Sequence, residues 1–398
     1  MGRLEELEKA RAEIKAAGVD IGVVSSVHNL TYVSGIEIPL PFGAGHEMTF
    51  APWLAVIPAA GGDAALIAPP GGFAGLVSGQ EASGSDAIAN GYHLFSFEGF
   101  SATEATDPAG TYVTQIGQAL RAAGASGGKG TIGIETRNLP YVAAQAIATA
   151  LPAWTIVDIE PALIRARWIK TAREIEKLRF AAHVSDVAQS TLGELAKTAG
   201  ASESAMFAEI SQRAFEAANS AIPLAGELVS GKRTCVVLYP NGPHFRMTEP
   251  GDGALMDLSG RVDGYWFDCT NTHIIGGVAP TEEQRRYAKA SQAACEAGMA
   301  ALRPGNKASD ASKAAIAAFA SFGLPNAHYT GHQVGVTVNE HPRLVPYDNS
   351  AIEPGMVFSV EPGCYQGMEG DFGARSEKIV LVREDGPEIL STFEWGIA

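Results

Sequence analysis

With 398 residues, the chain is long enough for one or two domains with sizeable cores, and 46% hydrophobic with 18% charged residues describes a folded chain. A formal net charge of −15 and a pI near 5.1 argue against a nucleic-acid partner, because phosphate binding takes a basic face. The longest apolar stretches fall well short of the ~20 residues that span a bilayer, so no membrane partner is expected.

The opening MGRLEELEKARAEIKAAG predicts an amphipathic helix over residues 4–18, closed by Gly18, rather than a basic region followed by an apolar one, and a cytoplasmic location is expected. A strand follows at 21–26. Residues 53–59 and 64–69 read as a hairpin across Gly61-Gly62-Asp63. A helix near 112–123, a strand at 131–135, a helix over 141–150 and a strand at 155–159 continue an alternation that predicts an α/β domain. Gly128, Gly130 and Gly133 match the dinucleotide-binding pattern by letter, but they precede or lie inside a strand instead of joining a strand to a helix, so no nucleotide cofactor is expected.

A boundary is expected near 160–172, giving domains 1–160 and 161–398. Beyond it the spacing predicts a long helix from Thr171, with His183 inside it as a packing or surface residue, and a second helix from Glu203 to Ala218. The loop YPNGPHFRMTEPGD carries His244. Helices near 281–302 and 308–321 follow, the first begun by Thr281 and two glutamates, and then apolar runs at 327–344 and 356–382. Strands and helices in segregated blocks predict an α+β fold for this half. Cys235, Cys269, Cys295 and Cys364 show no paired spacing and read as free thiols.

The chemistry is organised around Gly251 to Thr272. Two apolar runs, each ending in an aspartate, Asp257 and Asp268, flank turn residues 259–264, which predicts a hairpin that brings the carboxylates to one region of a sheet. Such a like-charge pair is costly unless a cation lies between them. His332, Glu361 and Glu377 also sit on or beside strand-like runs. Four carboxylates and one imidazole suit two divalent ions, Mn²⁺, Co²⁺, Fe²⁺ or Zn²⁺, and two ions about 3.5–4 Å apart bridge a hydroxide and stabilise an oxyanion.

These residues and their surroundings resemble the creatinase / aminopeptidase P / prolidase / methionine aminopeptidase family, metallopeptidases with the pita-bread fold. The resemblance rests on Asp257, Asp268-Cys269-Thr270, Gly331-His332, Glu361-Pro362-Gly363 and Arg375-Ser376-Glu377, with Asn29, Tyr32 and Gly35 of an N-terminal motif and a hinge at 165–170. It implies a C-terminal pita-bread domain preceded by a smaller α/β domain of the creatinase type. It also implies a dinuclear metal-dependent hydrolase that cleaves a C–N bond of a peptide, imide or small amide in a small-molecule or short-peptide substrate.

By the same resemblance, Asp257, Asp268, His332, Glu361 and Glu377 hold the metals and Glu361 carries the proton. His328 contacts the reacting carbonyl or leaving group, and His244 corresponds to an upstream histidine. Asn339, His341 and Arg375 are expected at the substrate. A homodimer is implied, in which the N-terminal domain of one subunit borders the other's pocket, making the 40–53 loop with Phe42, His46 and Trp53 a specificity element. Two departures stand out: Asn339 replaces a histidine seven positions after His332, and Asn271 replaces an arginine after Asp268-Cys269-Thr270. They favour a relative acting on a non-peptide molecule, by creatinase-like hydrolysis or metal-assisted lysis, as the alternative. A non-catalytic binding module is disfavoured because all the ligand residues are present.

Overall fold

The computed structural model describes residues 4–41, 50–69, 91–237 and 241–397. The chain divides into two compact units, Met1–Arg167 and Trp168–Ala398. No helix among the described residues is long and apolar enough to cross a membrane.

The first unit is built on a mixed six-stranded sheet. Its strands are β1 (Ile21–Val24), β2 (Leu54–Pro58), β3 (Ala64–Ala68), β4 (Tyr92–Ser96), β5 (Thr131–Ile134) and β6 (Thr155–Asp158), in the order β4-β3-β2-β1-β5-β6. Strands β1 and β2 pair antiparallel, as do β2 and β3, whereas β3–β4, β1–β5 and β5–β6 are parallel. Helices Pro108–Ala122 and Tyr141–Ala150 bury Tyr112, Ile116 and Ile147 in one core with Val23, Val56 and Ile132. The hairpin and both helices fall where the apolar spacing predicts them.

Two short helices of this unit escape the sequence pattern. Val27–Ser34 is held by the buried Glu135, whose carboxylate accepts from Ser26 N (2.8 Å), Ser26 Oγ (2.6 Å) and Asn29 Nδ2 (2.6 Å) at the helix start. Glu160–Ala166 buries Ala162, Leu163 and Ala166, and Tyr32 donates its hydroxyl to Ala166 O at 2.6 Å. That packing attaches residues 160–167 to the first unit.

Among its described residues the second unit has three antiparallel sheets. Strands β7 (Leu224–Ser230), β8 (Gly253–Val262) and β9 (Tyr265–Ile274) form one. Strands β10 (Gly331–Gln333), β11 (Glu340–Leu344), β12 (Val357–Val360), β15 (Lys378–Arg383) and β16 (Gly386–Ile389) form the second, in the order β11-β10-β12-β15-β16. A two-stranded ribbon joins β13 (Gly363–Tyr365) to β14 (Gly373–Arg375). Helices Ala172–Leu195 and Glu282–Ala300 both open on capping boxes, Thr171 with Glu174 and Thr281 with Gln284. The second of these, with Ala308–Ser321, covers a core containing Met299, Phe358 and Val380.

The central hairpin is longer and its turn tighter than the residue pattern suggests. Strands β8 and β9 pair along their whole lengths from Gly253↔Ile274 to Val262↔Tyr265. Only Asp263 and Gly264 lie between them, at φ 49° and 84°, the left-handed pair that a two-residue type I′ turn requires.

At the far end of β9 the His273 ring is wedged between two glycines. A Cβ on Gly396 would lie 2.4 Å from His273 Nδ1 and one on Gly193 2.9 Å from Cε1. Its Nε2 has no hydrogen-bond partner, and burial pulls the imidazole pKa down to about 4. The folded value lies below the unfolded value of about 6.5, so the neutral ring contributes its full share of stability above about pH 6.5 and loses it as pH falls toward 4. That share is at most roughly 3 kcal/mol. Thermal melts across this window should show a steeper decline for the wild type than for His273→Leu; parallel curves would remove His273 from the acid sensitivity.

Candidate metal centre

Each ligand candidate is placed by backbone hydrogen bonding. Asp257 on β8 faces Thr270 on β9, and Ser259 faces Asp268, so the two aspartates are diagonal neighbours on one face of the sheet. His332 lies in β10 opposite Ser359 of β12. Gly331 before it has no alternative: a Cβ there would fall 2.1 Å from the Ser359 carbonyl oxygen. Glu361 follows β12, with its N–H donating to Thr330 O at 2.7 Å, and Glu377 precedes β15, with its N–H donating to Thr270 O at 3.0 Å. Ser359 Oγ donates to Asp268 O at 3.0 Å. These bonds lock β9 to the five-stranded sheet.

The side chains converge. Ligand atoms of Asp268, His332 and Glu377 all lie within 4.8 Å of one another, and all three residues are buried. His332 Nε2 stands 3.6 Å from Asp268 Oδ2 and 3.0 Å from Glu361 Oε1. His332 Nδ1 lies 2.9 Å from Gln333 O. A carbonyl only accepts, so Nδ1 holds a proton and Nε2 is the nitrogen that faces the acids, its lone pair open to a cation when the ring is neutral.

The electrostatics of this cluster are unfavourable without a cation. Burial, and then the charge of Asp257, holds Asp268 well above the usual carboxylate range. Burial, followed by the charges of Asp268 and Glu361, does the same to Glu377. Burial also pushes Glu361 up, but contact with His332 and its charge reverse the direction. For His332, burial favours the neutral form, yet Glu361 and Asp268 outweigh it and lift the imidazole to about 9.

Oε1 of Glu377 and Oδ1 of Asp257 have no hydrogen-bond partner, and His332 Nε2 approaches Glu361 Oε1 at an ion-pair distance of 3.0 Å. Unpaired buried carboxylate oxygens around an imidazole lone pair fit a divalent cation, which would take the place of protons on these groups.

A second layer orders the first. Ser259 Oγ donates to Asp268 Oδ1 at 2.8 Å, and Thr270 Oγ1 donates to Glu377 Oε2 at 2.7 Å. Arg375, only 3% exposed, donates from Nε to Thr270 Oγ1 (3.0 Å) and from Nη1 to Tyr365 OH (3.1 Å). Its Nη2 lies 2.9 Å from Glu227 Oε2 and 2.6 Å from Asp257 Oδ2. Expected at the substrate, Arg375 instead has its guanidinium engaged by four protein side chains.

The remaining candidates are spread more widely. His328 Nδ1 lies 2.8 Å from Tyr329 O and Nε2 3.2 Å from Tyr365 OH. The carbonyl fixes the proton on Nδ1, so Nε2 accepts from Tyr365, whose oxygen accepts from Arg375. Burial lowers the His328 pKa, which keeps the ring neutral. His244 is exposed, and its backbone N–H donates to Glu203 Oε2 at 2.9 Å. Trp53 is buried in the first unit, whereas Phe42 and His46 lie outside the described residues.

His341 and Arg343 take the exposed positions of β11, whose burial alternates. Arg343 donates from Nε to Asn339 Oδ1 at 2.9 Å. Both line a cavity of about 630 Å³ together with His328, Tyr329 and Tyr347. Asn271 is buried and anchors the C-terminal segment: Nδ2 donates to Glu394 O at 2.9 Å, and Oδ1 accepts from Gly396 N at 3.1 Å. Its difference from arginine thus has a structural use away from that cavity.

Glu227, Tyr365 and Arg343 are not marked by the sequence reading. Tyr365, four residues after Glu361 at the end of β13, was open to a spacing argument. Glu227 was not, because only the pairing of β7 with β8 brings it opposite Asp257.

The model of metallopeptidase family M24 matches residues 176–384, and that of the creatinase/prolidase N-terminal domain matches 6–169. A probable dipeptidase PepE of Mycobacterium tuberculosis is 30% identical over 263 residues, 63% of this chain and 65% of the relative. A Xaa-Pro dipeptidase of Pyrococcus furiosus is 30% identical over 232 residues, 57% of this chain and 64% of the relative. The chain thus spans just under two thirds of these relatives' lengths. The solved structure of a Xaa-Pro dipeptidase from Bacillus anthracis superposes with a TM-score of 0.78 at 21% identity, covering 99% of each chain, a likeness of fold.

Proposed function

The chain belongs to metallopeptidase family M24, and from that premise we propose that it is a divalent-metal-dependent dipeptidase, with Asp257, Asp268, His332, Glu361 and Glu377 holding two ions. The observation that carries this is the convergence of Asp268, His332 and Glu377 within 4.8 Å from strands of two sheets. When bound, such ions supply Lewis acidity and lower the pKa of a nucleophilic water. Glu361 is the residue for holding and moving the proton, since its buried carboxylate stands beside the imidazole, with Oε1 3.0 Å from His332 Nε2. His328 borders the cavity as a neutral imidazole whose Nε2 can accept a hydrogen bond from a substrate N–H in exchange for Tyr365.

Arg343 supports a substrate with a free carboxylate. Its Nε is held by Asn339, which leaves the exposed end of the guanidinium turned to the same cavity as His328, and a planar fork matches a carboxylate bidentately. The dipeptidase names of relatives in this family agree with that chemistry. Asn339 favours a second reading, a carboxylate-bearing small amide, because an amide side chain can orient such a substrate but cannot exchange protons with a peptide leaving group.

The test compares Ala-Pro with its C-terminal amide. Wild-type protein should hydrolyse the free acid at least about tenfold better, and Arg343→Ala should lose roughly 10–100-fold in kcat/KM on it, mainly through KM, with little change on the amide. Equal rates on both compounds in both proteins would dismiss Arg343 as the carboxylate anchor. Hydrolysis confined to non-peptide amides would select the second reading.

A further inference from the structure

One buried acid beside the centre has no place among the ligands. Glu227, in the middle of β7, is 5% exposed and sits directly across the ladder from Asp257. Two carboxylates in that position repel, and Arg375 Nη2 lies between them, 2.9 Å from Glu227 Oε2 and 2.6 Å from Asp257 Oδ2. Thr270 and Tyr365 fix the other edges of the guanidinium, so it cannot turn fully toward either acid. Asp257 Oδ1 is left without a hydrogen-bond partner.

Resting on the reading of Asp257 as a cation ligand, we propose that Glu227 is a positioning residue that shares Arg375 with Asp257 and thereby leaves the Asp257 carboxylate open to a divalent cation. A guanidinium facing a single carboxylate engages both oxygens as a bidentate pair. Arg375 would then compete with the cation for the same lone pairs. With Glu227 present the charge of Nη2 is divided, and Asp257 meets it through Oδ2 alone. When a cation draws on Asp257, Glu227 still neutralises the buried guanidinium, which would otherwise be stranded at high cost. The effect is local to Asp257; a cation held by Asp268, His332 and Glu377 depends on it little.

The test is calorimetric titration of the chelator-stripped full chain with Mn²⁺. Wild type should take up two ions. Glu227→Gln, close in shape but uncharged, should bind the first as wild type does and the second roughly 10–100-fold more weakly. Glu227→Asp keeps the charge but is a methylene shorter, and it should also weaken the second ion; it serves in addition if the glutamine variant fails to fold. Wild-type affinity for both ions in both variants overturns the proposal. Equal weakening of both ions does so too, since that is the signature of diffuse charge rather than of a shared guanidinium. If wild type binds no Mn²⁺, or Asp257→Ala leaves both ions in place, the ligand reading itself fails and the proposal with it.

Discussion

Replacing His332 with alanine should abolish divalent-cation binding and hydrolysis together, with turnover falling by at least about a thousandfold. His332 is the one imidazole in the cluster, and its Nε2 is aimed at Asp268 and Glu361 by the Nδ1 bond to Gln333. Without it, three buried acids remain that cannot all ionise next to one another. Truncating a buried ring also leaves a cavity, so Asp268→Asn is the companion variant: it preserves shape and the Ser259 contact while removing charge. Both variants should take up less Mn²⁺ than wild type at equal concentration, measured on folded protein. Retention of wild-type turnover by Asp268→Asn would contradict the assignment.

Removing Arg375 should have the largest effect on stability. Arg375→Leu leaves Glu227 and Asp257 face to face with no cation between them and strips Tyr365 and Thr270 of a donor. Breaking a buried ion pair by deleting one partner costs about 3–5 kcal/mol, which for a chain of this size lowers the Tm of its unit by roughly 6–20 °C. Burial, only partly offset by Arg375, already holds the Glu227 pKa above its usual value, and the loss of Arg375 would drive it higher. Mn²⁺ should restore part of the lost Tm, because an ion on Asp257 relieves the same repulsion. A variant that melts with the wild type, with and without Mn²⁺, would show that the arginine is not what reconciles the two acids.

Much of the fold is readable from residue pattern where one physical signal dominates. The helices Tyr141–Ala150 and Glu203–Ala218 have clear apolar periodicity, and the central hairpin has two apolar runs flanking Asp263-Gly264. The short helix Val27–Ser34 has local caps in Ser26 and Gly35, but its eight residues show little apolar periodicity, and its start is also held by Glu135, about a hundred residues away. Strand β7 is similarly obscure, since its polar Glu227 and Ser230 interrupt any alternation and find their partners in Arg375, Glu203 and Arg246, all outside the strand.

The site divides along the same line. Asp268, His332 and Glu377 are legible because each ends or begins a strand-like run of distinctive composition. Arg375 is legible as a residue but not in its contacts, which place it among acids rather than facing the cavity. Asn271 carries opposite meanings before and after the fold is known: an unusual residue beside the ligands in sequence, it is a latch for the C-terminal segment in space. Arg343 becomes visible only once β11 turns it to the same cavity as His328.

Anomalous diffraction from crystals of the full chain grown with Mn²⁺ bears most directly on the metal centre. A strong peak is expected at coordination distance from Asp268, His332 Nε2 and Glu377, with a second toward Asp257 Oδ1. Density confined to surface carboxylates, with none among these residues, would contradict it.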